Sequence, residues 1–454
     1  MGNLKAGVAR VDVTPPVGTP LGGFAGRIGP SQGVHDPLYA KALALSDGDK
    51  TAILIVADLL SVPRDLVEGV RASIQGITGV GQGDVMVAAT HTHSGPETIG
   101  IRAGPDDPYV SAYLKVLERY LVGVAYVAWK KMAEARIGGS KGDAVIGFNR
   151  RKRGDPIDSE VGVIRIDDVE GNPRVAVINY PCHAVVLGGE NLLISADYPG
   201  YVNGVLERVK GLSFTSMFTN GAAGNINPLS SVGYTCPGTF RDAERLGSII
   251  AGEALKTLEQ TETSGEAKIQ TSSVTHYLSM EEPPIAEAER YVRDAQQKVA
   301  ELKEKGAEPN KIAPYEAVLE YYERNLRLLK EEQAKEMRLP LEVQVFRMND
   351  IALVAVPGEM FVEIGREIKA QSGVKNTFII GYANGYIGYI PTLKAFEEGG
   401  YEPTRTWWNR ATPEAGKIIK EGSLKQLEAM RMMPISHKFW RKIKKLSSKI
   451  EDKA

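Results

Sequence analysis

The chain has six histidines, and their placement marks where chemistry could be done. His91 and His93 form Thr-His-Thr-His-Ser-Gly directly after the strand-like run Val-Met-Val-Ala-Ala. In an extended segment residues i and i+2 point the same way, so both imidazoles can face one site. His183 follows a second apolar run, in Tyr-Pro-Cys-His-Ala, and Glu359 follows a third, in Val-Pro-Gly-Glu. Ligand sites of α/β sheets usually lie at strand ends. Two or three histidines and one carboxylate around an open position is the composition of a catalytic zinc site. Each signal is weak when taken alone. Their shared position just past a strand sets a metal site against a set of structural histidines as equal contenders.

Other polar residues have plainer readings beside the chemical ones. Arg150 opens the run Arg150-Arg151-Lys152-Arg153, which also reads as a solvated basic surface. Tyr386, Tyr389 and Tyr401 belong to a tyrosine-rich region where packing is a common role. Cys182 adjoins His183, but neighbouring side chains of a strand face opposite ways, so a buried inert thiol is expected there rather than a ligand. His35 is open between a pocket entrance and a structural role. His276 and His437 have no chemical company and are expected at the surface.

The elements that must position these residues are short. Ala52–Asp58, Val85–Thr90, Val161–Ile166, Val175–Tyr180, Ser216–Thr219, Ile351–Val356 and Thr377–Gly381 are apolar runs bounded by turn residues, which suits strands buried on both faces. Tyr109–Ala133, Gly200–Val209 and Arg241–Leu258 read as helices. The alternation predicts an α/β fold with a mixed or largely parallel central sheet flanked by helices. Between about Met280 and Met337 two apolar stripes, Ile285 to Leu302 and Tyr315 to Leu329, flank a break at Gly306–Pro314. This predicts an inserted antiparallel helical hairpin. A packed pair covering the core is the plain reading, and a lid or a dimerisation arm is the alternative. The tail Lys438–Ala454 is basic and carries Phe439, Ile443, Leu446 and Ile450 at helical spacing. It reads as a docked surface helix, with contact to an anionic membrane as the sharper alternative.

Composition excludes several classes. Lys+Arg number 55 against 56 Asp+Glu, a formal charge of −1, which argues against a protein built to coat nucleic acid. Two cysteines exclude a disulfide scaffold and a Cys-rich zinc motif. No apolar run reaches the roughly 18 to 20 residues of a membrane span, and the best, Ala52 to Val62, is interrupted by Asp58. The N-terminus lacks a signal-peptide core, so the expected compartment is the cytoplasm. There is no Walker-type loop for a nucleotide.

With these residues in hand, the sequence resembles the catalytic domain of the neutral/alkaline non-lysosomal ceramidases, zinc-dependent amide hydrolases. Ala-Gly-Val-Ala-Arg-Val-Asp-Val-Thr-Pro-Pro (6 to 16) looks like the family's opening block, and residues 33 to 42, Gly-Val-His-Asp-Pro-Leu-Tyr-Ala-Lys-Ala, like the next. Thr-His-Thr-His-Ser-Gly-Pro (90 to 96) is the most specific match. Phe148-Asn149-Arg150, His183 with Ser-Ala-Asp-Tyr-Pro-Gly (195 to 200), Val-Pro-Gly-Glu (356 to 359), Asn-Gly-Tyr-Ile-Gly-Tyr (384 to 389) and Tyr401-Glu402 follow in order. The resemblance implies one zinc ion held by His91, His183, Glu359 and Tyr389, with metal-bound water as the nucleophile. It also implies that His93 protonates the leaving amine and that Arg150 and Tyr401 hold the carbonyl oxygen.

Three departures from the family pattern bear on the substrate. The block Gly-Asp-Val-Ser-Pro-Asn stands here as Gly224-Asn225-Ile226-Asn227-Pro228-Leu229. Asn227 cannot be a nucleophile, although it could donate a hydrogen bond to a substrate oxygen. Only about 50 residues follow Tyr401, too few for the family's C-terminal immunoglobulin-like domain of about 100. The leader of secreted members is not seen. The expectation is therefore one ceramidase-like zinc hydrolase domain over 1–435, with 280–337 as the inserted hairpin and 436–454 as a basic amphipathic tail. It would act on a small N-acyl amide, lipids of the sphingolipid type among the candidates, and would bind no nucleic acid. Peripheral membrane contact through the tail and a homo-oligomer are left open. A zinc esterase or lactonase on the same site is the alternative within enzymes, and a non-catalytic ligand-binding relative the alternative outside them.

Overall fold

The computed structural model describes residues 2–101, 103, 107–280, 284–332 and 338–432. One arrangement recurs in it three times: an antiparallel set of strands followed by a helical crossover to a parallel strand on the edge. The first sheet holds β1 (Lys5–Asp12), β2 (Tyr39–Ser46), β3 (Thr51–Ala57) and β4 (Val85–Ala89), ordered β4-β3-β2-β1, with the two-residue strand Ala133–Glu134 on the far edge of β1. Helix α1 (Arg64–Thr78) crosses from β3 to its parallel neighbour β4, and α2 (Pro108–Lys130) packs on the same face. The second sheet holds β5 (Arg136–Asp143), β6 (Glu160–Asp167), β7 (Pro173–Tyr180) and β8 (Thr215–Asn220), with α3 (Asp197–Lys210) joining the parallel pair β7/β8. Helix α4 (Phe240–Gln260) lies beside α3 over this sheet. The third begins with β9 (Ile269–Ser279), from which the chain leaves into helices α5 (Ile285–Glu304) and α6 (Pro309–Glu332). It returns as β10 (Arg338–Met348) and β11 (Ile351–Ala355). Helix α7 (Val362–Gln371) then crosses to β12 (Asn376–Ile380), parallel to β11. Helix α8 (Leu393–Glu398) follows, and α9 (Ala415–Met432) covers this sheet's outer face with α7.

The sheets are thus mixed, as the apolar runs allow, but among the described residues three sheets of four or five strands take the place of one central sheet, and antiparallel pairs dominate. Connection length decides this. Asp47, whose carboxylate accepts the Asp49 and Lys50 amides, closes a turn too short for anything but an antiparallel return from β2 to β3. Only the crossovers through α1, α3 and α7 are long enough for parallel pairing. A strand buried on both faces carries the same apolar run in either case, so the run alone does not show its direction.

Both faces of the strands are used. Leu43 and Leu54 of the first sheet, Ile164 and Val177 of the second, and Phe346 and Leu353 of the third form one core between the sheets. Ile53 and Ile55 point the other way, toward α1 and α2. Each fully buried aliphatic side chain contributes roughly 1.5–3 kcal/mol, so strands buried on both faces add stability on both sides of the sheet.

The three edge strands β4, β8 and β12 meet at their C-terminal ends. Ala89 donates its amide to Tyr382, Asn384 to Val87, and Gly381 to Asn220, while the Asn220 amide side chain donates to the Thr90 carbonyl. The loops that leave the parallel pairs are thereby gathered at one point.

Helices α5 and α6 run antiparallel, with Lys303 to Glu316, Gln296 to Glu323 and Lys330 to Glu289 along the pair. The break between them is shorter than Gly306–Pro314, because α6 already begins at Pro309 and carries Pro314 inside it. A proline so near the start of a helix removes one hydrogen bond without ending it. The tail Lys438–Ala454, and His437 before it, lie outside the described residues.

Candidate metal centre

His91 does not sit in an extended segment. Strand β4 ends at Ala89, and His91 has φ +68°, in the left-handed region that a non-glycine residue rarely adopts. Its amide donates to Leu59, its Nδ1 lies 2.7 Å from the Leu60 carbonyl, and its ring stacks on Tyr382 at 3.8 Å. His91 and His93 therefore do not share a face of a strand, as the sequence pattern suggests, but the turn brings both imidazoles to one place. His93 Nε2 stands 3.1 Å from His91 Nε2.

His93 is held from behind by Phe24, edge-on at 4.9 Å, and by Gly23 at φ +92°, where a Cβ would lie 2.3 Å from His93 Nδ1. Its Nδ1 is buried and without a hydrogen-bond partner. His183 follows β7, and its Nδ1 lies 2.7 Å from the Ala223 carbonyl. Next to it, Cys182 turns into the apolar core between β6, β7 and α3, where burial pushes its thiol pKa up. The inert-thiol reading stands.

Glu359 opens a two-residue strand paired in parallel with Tyr389–Ile390. Its Oε2 lies 2.8 Å from His183 Nε2 and 3.5 Å from His91 Nε2, and its Oε1 accepts from the Tyr386 hydroxyl. All four side chains are buried. The ligand-capable atoms of His91, His93 and His183 lie within 4.8 Å of one another.

Electrostatics sets their protonation. Burial, and then the Arg150 charge, lower the His183 pKa to about 4. Burial, and then His91 and His183, hold His93 well below the usual imidazole range. Burial works to raise the Glu359 pKa, but His91 and His183 outweigh it and keep the carboxyl well below its ordinary value.

These residues fit a divalent cation. A carbonyl can only accept, so Nδ1 of His91 and of His183 carries the proton and Nε2 presents its lone pair inward. Neutral imidazoles beside an ionised carboxylate form the nitrogen and oxygen donor set that zinc takes.

A second group adjoins the first. The short strand Gly147–Asn149 pairs antiparallel with Ile226–Pro228, setting Asn227 opposite Phe148. Arg150 follows, buried rather than solvated. Its Nε donates to Glu402 at 2.9 Å, and its Nη1 donates to Asn227 at 3.1 Å and lies 3.5 Å from His183 Nε2. Its Nη2 is buried with no partner. The Asn227 amide nitrogen donates to Gly233, so this side chain is placed to orient Arg150. Tyr389 lies under the Arg150 guanidinium, with its ring 6.4 Å from that of His183. Tyr401 stands one ring further out, 5.6 Å from Tyr389 and half exposed. His35 stacks on Phe240 and bonds Asp36, in a separate group. His276, on β9, is partly buried rather than at the surface.

The sequence assigns no site role to Glu402, quoted only beside Tyr401, to Tyr386, read as packing, or to Tyr382. Glu402 is fully buried and grips both Arg150 and Arg151. Its adjacency to Tyr401 was the available signal.

Residues 4–104 match the family model described as neutral/alkaline non-lysosomal ceramidase, N-terminal. The chain resembles the neutral ceramidases. That of Pseudomonas aeruginosa is 22% identical, aligned over 84% of this chain and 66% of its own. Neutral ceramidase B of Dictyostelium discoideum is 25% identical over 48% of this chain and 34% of its own. The chain thus spans from about a third to two thirds of the length of these curated relatives. A solved structure described as a ceramidase complexed with C2 superposes with a TM-score of 0.74 at 19% identity, covering 96% of this chain and 76% of that one. The crystal structure of the Pseudomonas aeruginosa neutral ceramidase gives 0.71 at 20%, with the same coverage. These two likenesses show the fold.

Proposed function

We propose that this protein is a metal-dependent hydrolase of linear N-acyl amides. The observation that carries the reading is the convergence of His91, His183 and Glu359, with both histidine Nε2 lone pairs turned inward, beside a buried Arg150 with one unpaired guanidinium nitrogen. Tyr389 would complete the set that holds zinc. When bound, such an ion acidifies a water molecule and polarises an acyl carbonyl.

The chain's own groups supply the remainder. Arg150 Nη2 can donate to the carbonyl oxygen as negative charge develops on it. Asn227 and Glu402 fix the guanidinium in that pose. His93, neutral because its charged form is disfavoured by burial, can take a proton at Nε2 from the attacking water. It can then return that proton to the leaving nitrogen, which an amide requires because its anion is a poor leaving group. Tyr401, at the rim, can close over the bound acyl group. Since the relatives are named neutral ceramidases, an N-acyl sphingoid amide is the first substrate to try.

The test is metal content by elemental analysis of wild type and His183→Ala, with hydrolysis of a graded series of N-acyl amides and an activated ester. The reading expects about one zinc per chain, lost together with amide hydrolysis in the variant and on chelation. Stoichiometric zinc with no acyl hydrolysis on any member would identify a binding relative instead. No metal in either protein would sink the proposal.

A further inference from the structure

The residue that covers Arg150 toward solvent is Tyr234, at the tip of a short turn. The Val232 amide donates to the Thr235 carbonyl at 2.8 Å and the Thr235 amide to the Val232 carbonyl at 2.9 Å, so residues 233 and 234 form a two-residue tip. Gly233, at φ +57°, supplies the positive φ that the first position of such a tip requires. Tyr234 follows it and lays its ring on the guanidinium, with the ring centroid 5.1 Å from Arg150 Cζ.

Tyr389 contacts the same guanidinium at 5.3 Å. Tyr389 is 4% exposed and Tyr234 48%, so Tyr234 is the ring on the solvent side. Its hydroxyl lies 3.1 and 3.2 Å from the two oxygens of Glu402, and it shares in this way the counter-ion that holds Arg150 Nε. Burial, and then the Glu402 charge, raise the hydroxyl pKa to about 12, so it remains a donor at neutral pH. Asn227 meets the turn from the other side. Its oxygen accepts from Arg150 Nη1, and its nitrogen donates to the Gly233 carbonyl at 3.0 Å. Two adjacent residues of one turn are thereby bonded to both groups that fix the guanidinium.

A guanidinium that must donate to a developing anion acts most strongly where its direction is set beforehand and water is kept away. Water reaching Arg150 would compete for the unpaired Nη2. An aromatic face excludes that water and is itself attracted to the cation. Packing the turn would need an apolar side chain and no more, whereas the tyrosine hydroxyl adds the bond to Glu402.

We propose that Tyr234 is a positioning residue for Arg150. Its ring shields the guanidinium from water, and its bond to Glu402 sets the ring there, so that Nη2 is kept for an oxygen of the ligand. That this oxygen is the scissile carbonyl rests on the amidohydrolase reading; the shielding does not.

The test uses the full chain and its Tyr234→Leu and Tyr234→Phe variants, with circular dichroism melts to confirm folding. Phenylglyoxal labelling read by peptide mass spectrometry compares Arg150 with Arg245, which is exposed on α4. Leucine is expected to speed the labelling of Arg150 relative to Arg245 by about tenfold, the scale of a desolvated cation–π contact. It should lower kcat for an N-acyl amide by about as much while KM stays within about threefold, because the lost effect acts on charge that develops in the transition state. Phenylalanine keeps the ring and should fall between wild type and leucine on both readouts. A tyrosine that merely packs the turn would change the melts and neither readout. A folded leucine variant with wild-type labelling overturns the inference. So does a phenylalanine variant that matches leucine, since the ring would then shield nothing. Faster labelling with unchanged kcat in an active enzyme overturns the positioning role. Should the wild type hydrolyse no amide, the labelling decides between these outcomes, and the failure is that of the catalytic reading.

Discussion

The Arg150 guanidinium directs Nε to Glu402 and Nη1 to Asn227, and keeps Nη2 without a partner. A buried charge can remain so only while its counter-ion is in place. Removing that counter-ion leaves an uncompensated buried charge, which costs roughly 3–5 kcal/mol. Glu402→Ala is accordingly expected to lower the unfolding free energy by about that amount in a denaturant titration. A loss below about 1 kcal/mol would mean that the pair contributes little to stability. This role was not legible in the sequence. Arg150 opens a run of four basic residues, and the partner that draws it inward is 252 positions away. Gly23 allows a gentler test of His93. At φ +92°, with a Cβ that would fall 2.3 Å from His93 Nδ1, Gly23→Ala must displace the imidazole. Amide turnover should drop by about tenfold or more while the variant remains folded by circular dichroism, since small misplacements of a proton-transfer group are costly. Unchanged turnover would remove His93 from the proton path.

Asn384 makes three of the hydrogen bonds that tie the elements carrying the site to one another. Its amide donates to the Val87 carbonyl, its Oδ1 accepts the Val87 amide at 2.9 Å, and its Nδ2 donates to Gln344 at 2.8 Å. It thus clamps β4 of the first sheet to the loop after β12 of the third, at φ +63°. Asn384→Ala loses the side-chain bonds and strains the left-handed backbone, for an expected cost of about 2–3 kcal/mol. Asn384→Gly loses the same bonds without the strain, so it should fall between wild type and alanine in a thermal melt. If the two variants melt together, the backbone conformation carries no strain. Strands such as β4, β11 and β12 were legible because apolar runs between turn residues have one economical solution, burial on both faces. Their assembly into three sheets was not. It depends on contacts such as this one, whose partners are separated by 297 residues and share no local pattern. The histidines were found for a similar reason: each stands where a strand ends, whichever sheet the strand joins.

At the scale of the whole molecule, three sheets meeting around one core leave several ionisable groups without water. Burial raises the pKa of Asp58 and of Asp197 from 3.8 to about 6, against the amides that each accepts. His183 moves the other way, to about 4. A carboxyl whose folded pKa lies above its unfolded value binds protons more tightly in the native state, so its contribution to stability falls as pH rises from 3.8 to about 6. A histidine with a lowered pKa contributes fully above its unfolded value near 6.5 and loses that contribution as pH falls toward about 4. In the metal-free protein the two effects oppose each other between about pH 4 and 6, and the total curve is a poor reporter of either. A single substitution separates them. Asp58→Asn keeps an acceptor for the Tyr39 amide, 2.9 Å from Oδ2, and removes the ionisation. Its stability relative to wild type should therefore climb as pH is raised from 4 to 7.5. The climb should approach about 3 kcal/mol, the equivalent of roughly two pKa units. Denaturant titrations of chelated wild type and variant at four pH values would show this slope. A difference that stays constant with pH would mean that Asp58 ionises in the native state as freely as it does in the unfolded chain, and that water reaches the junction of β2 and β3 beneath the His91 turn.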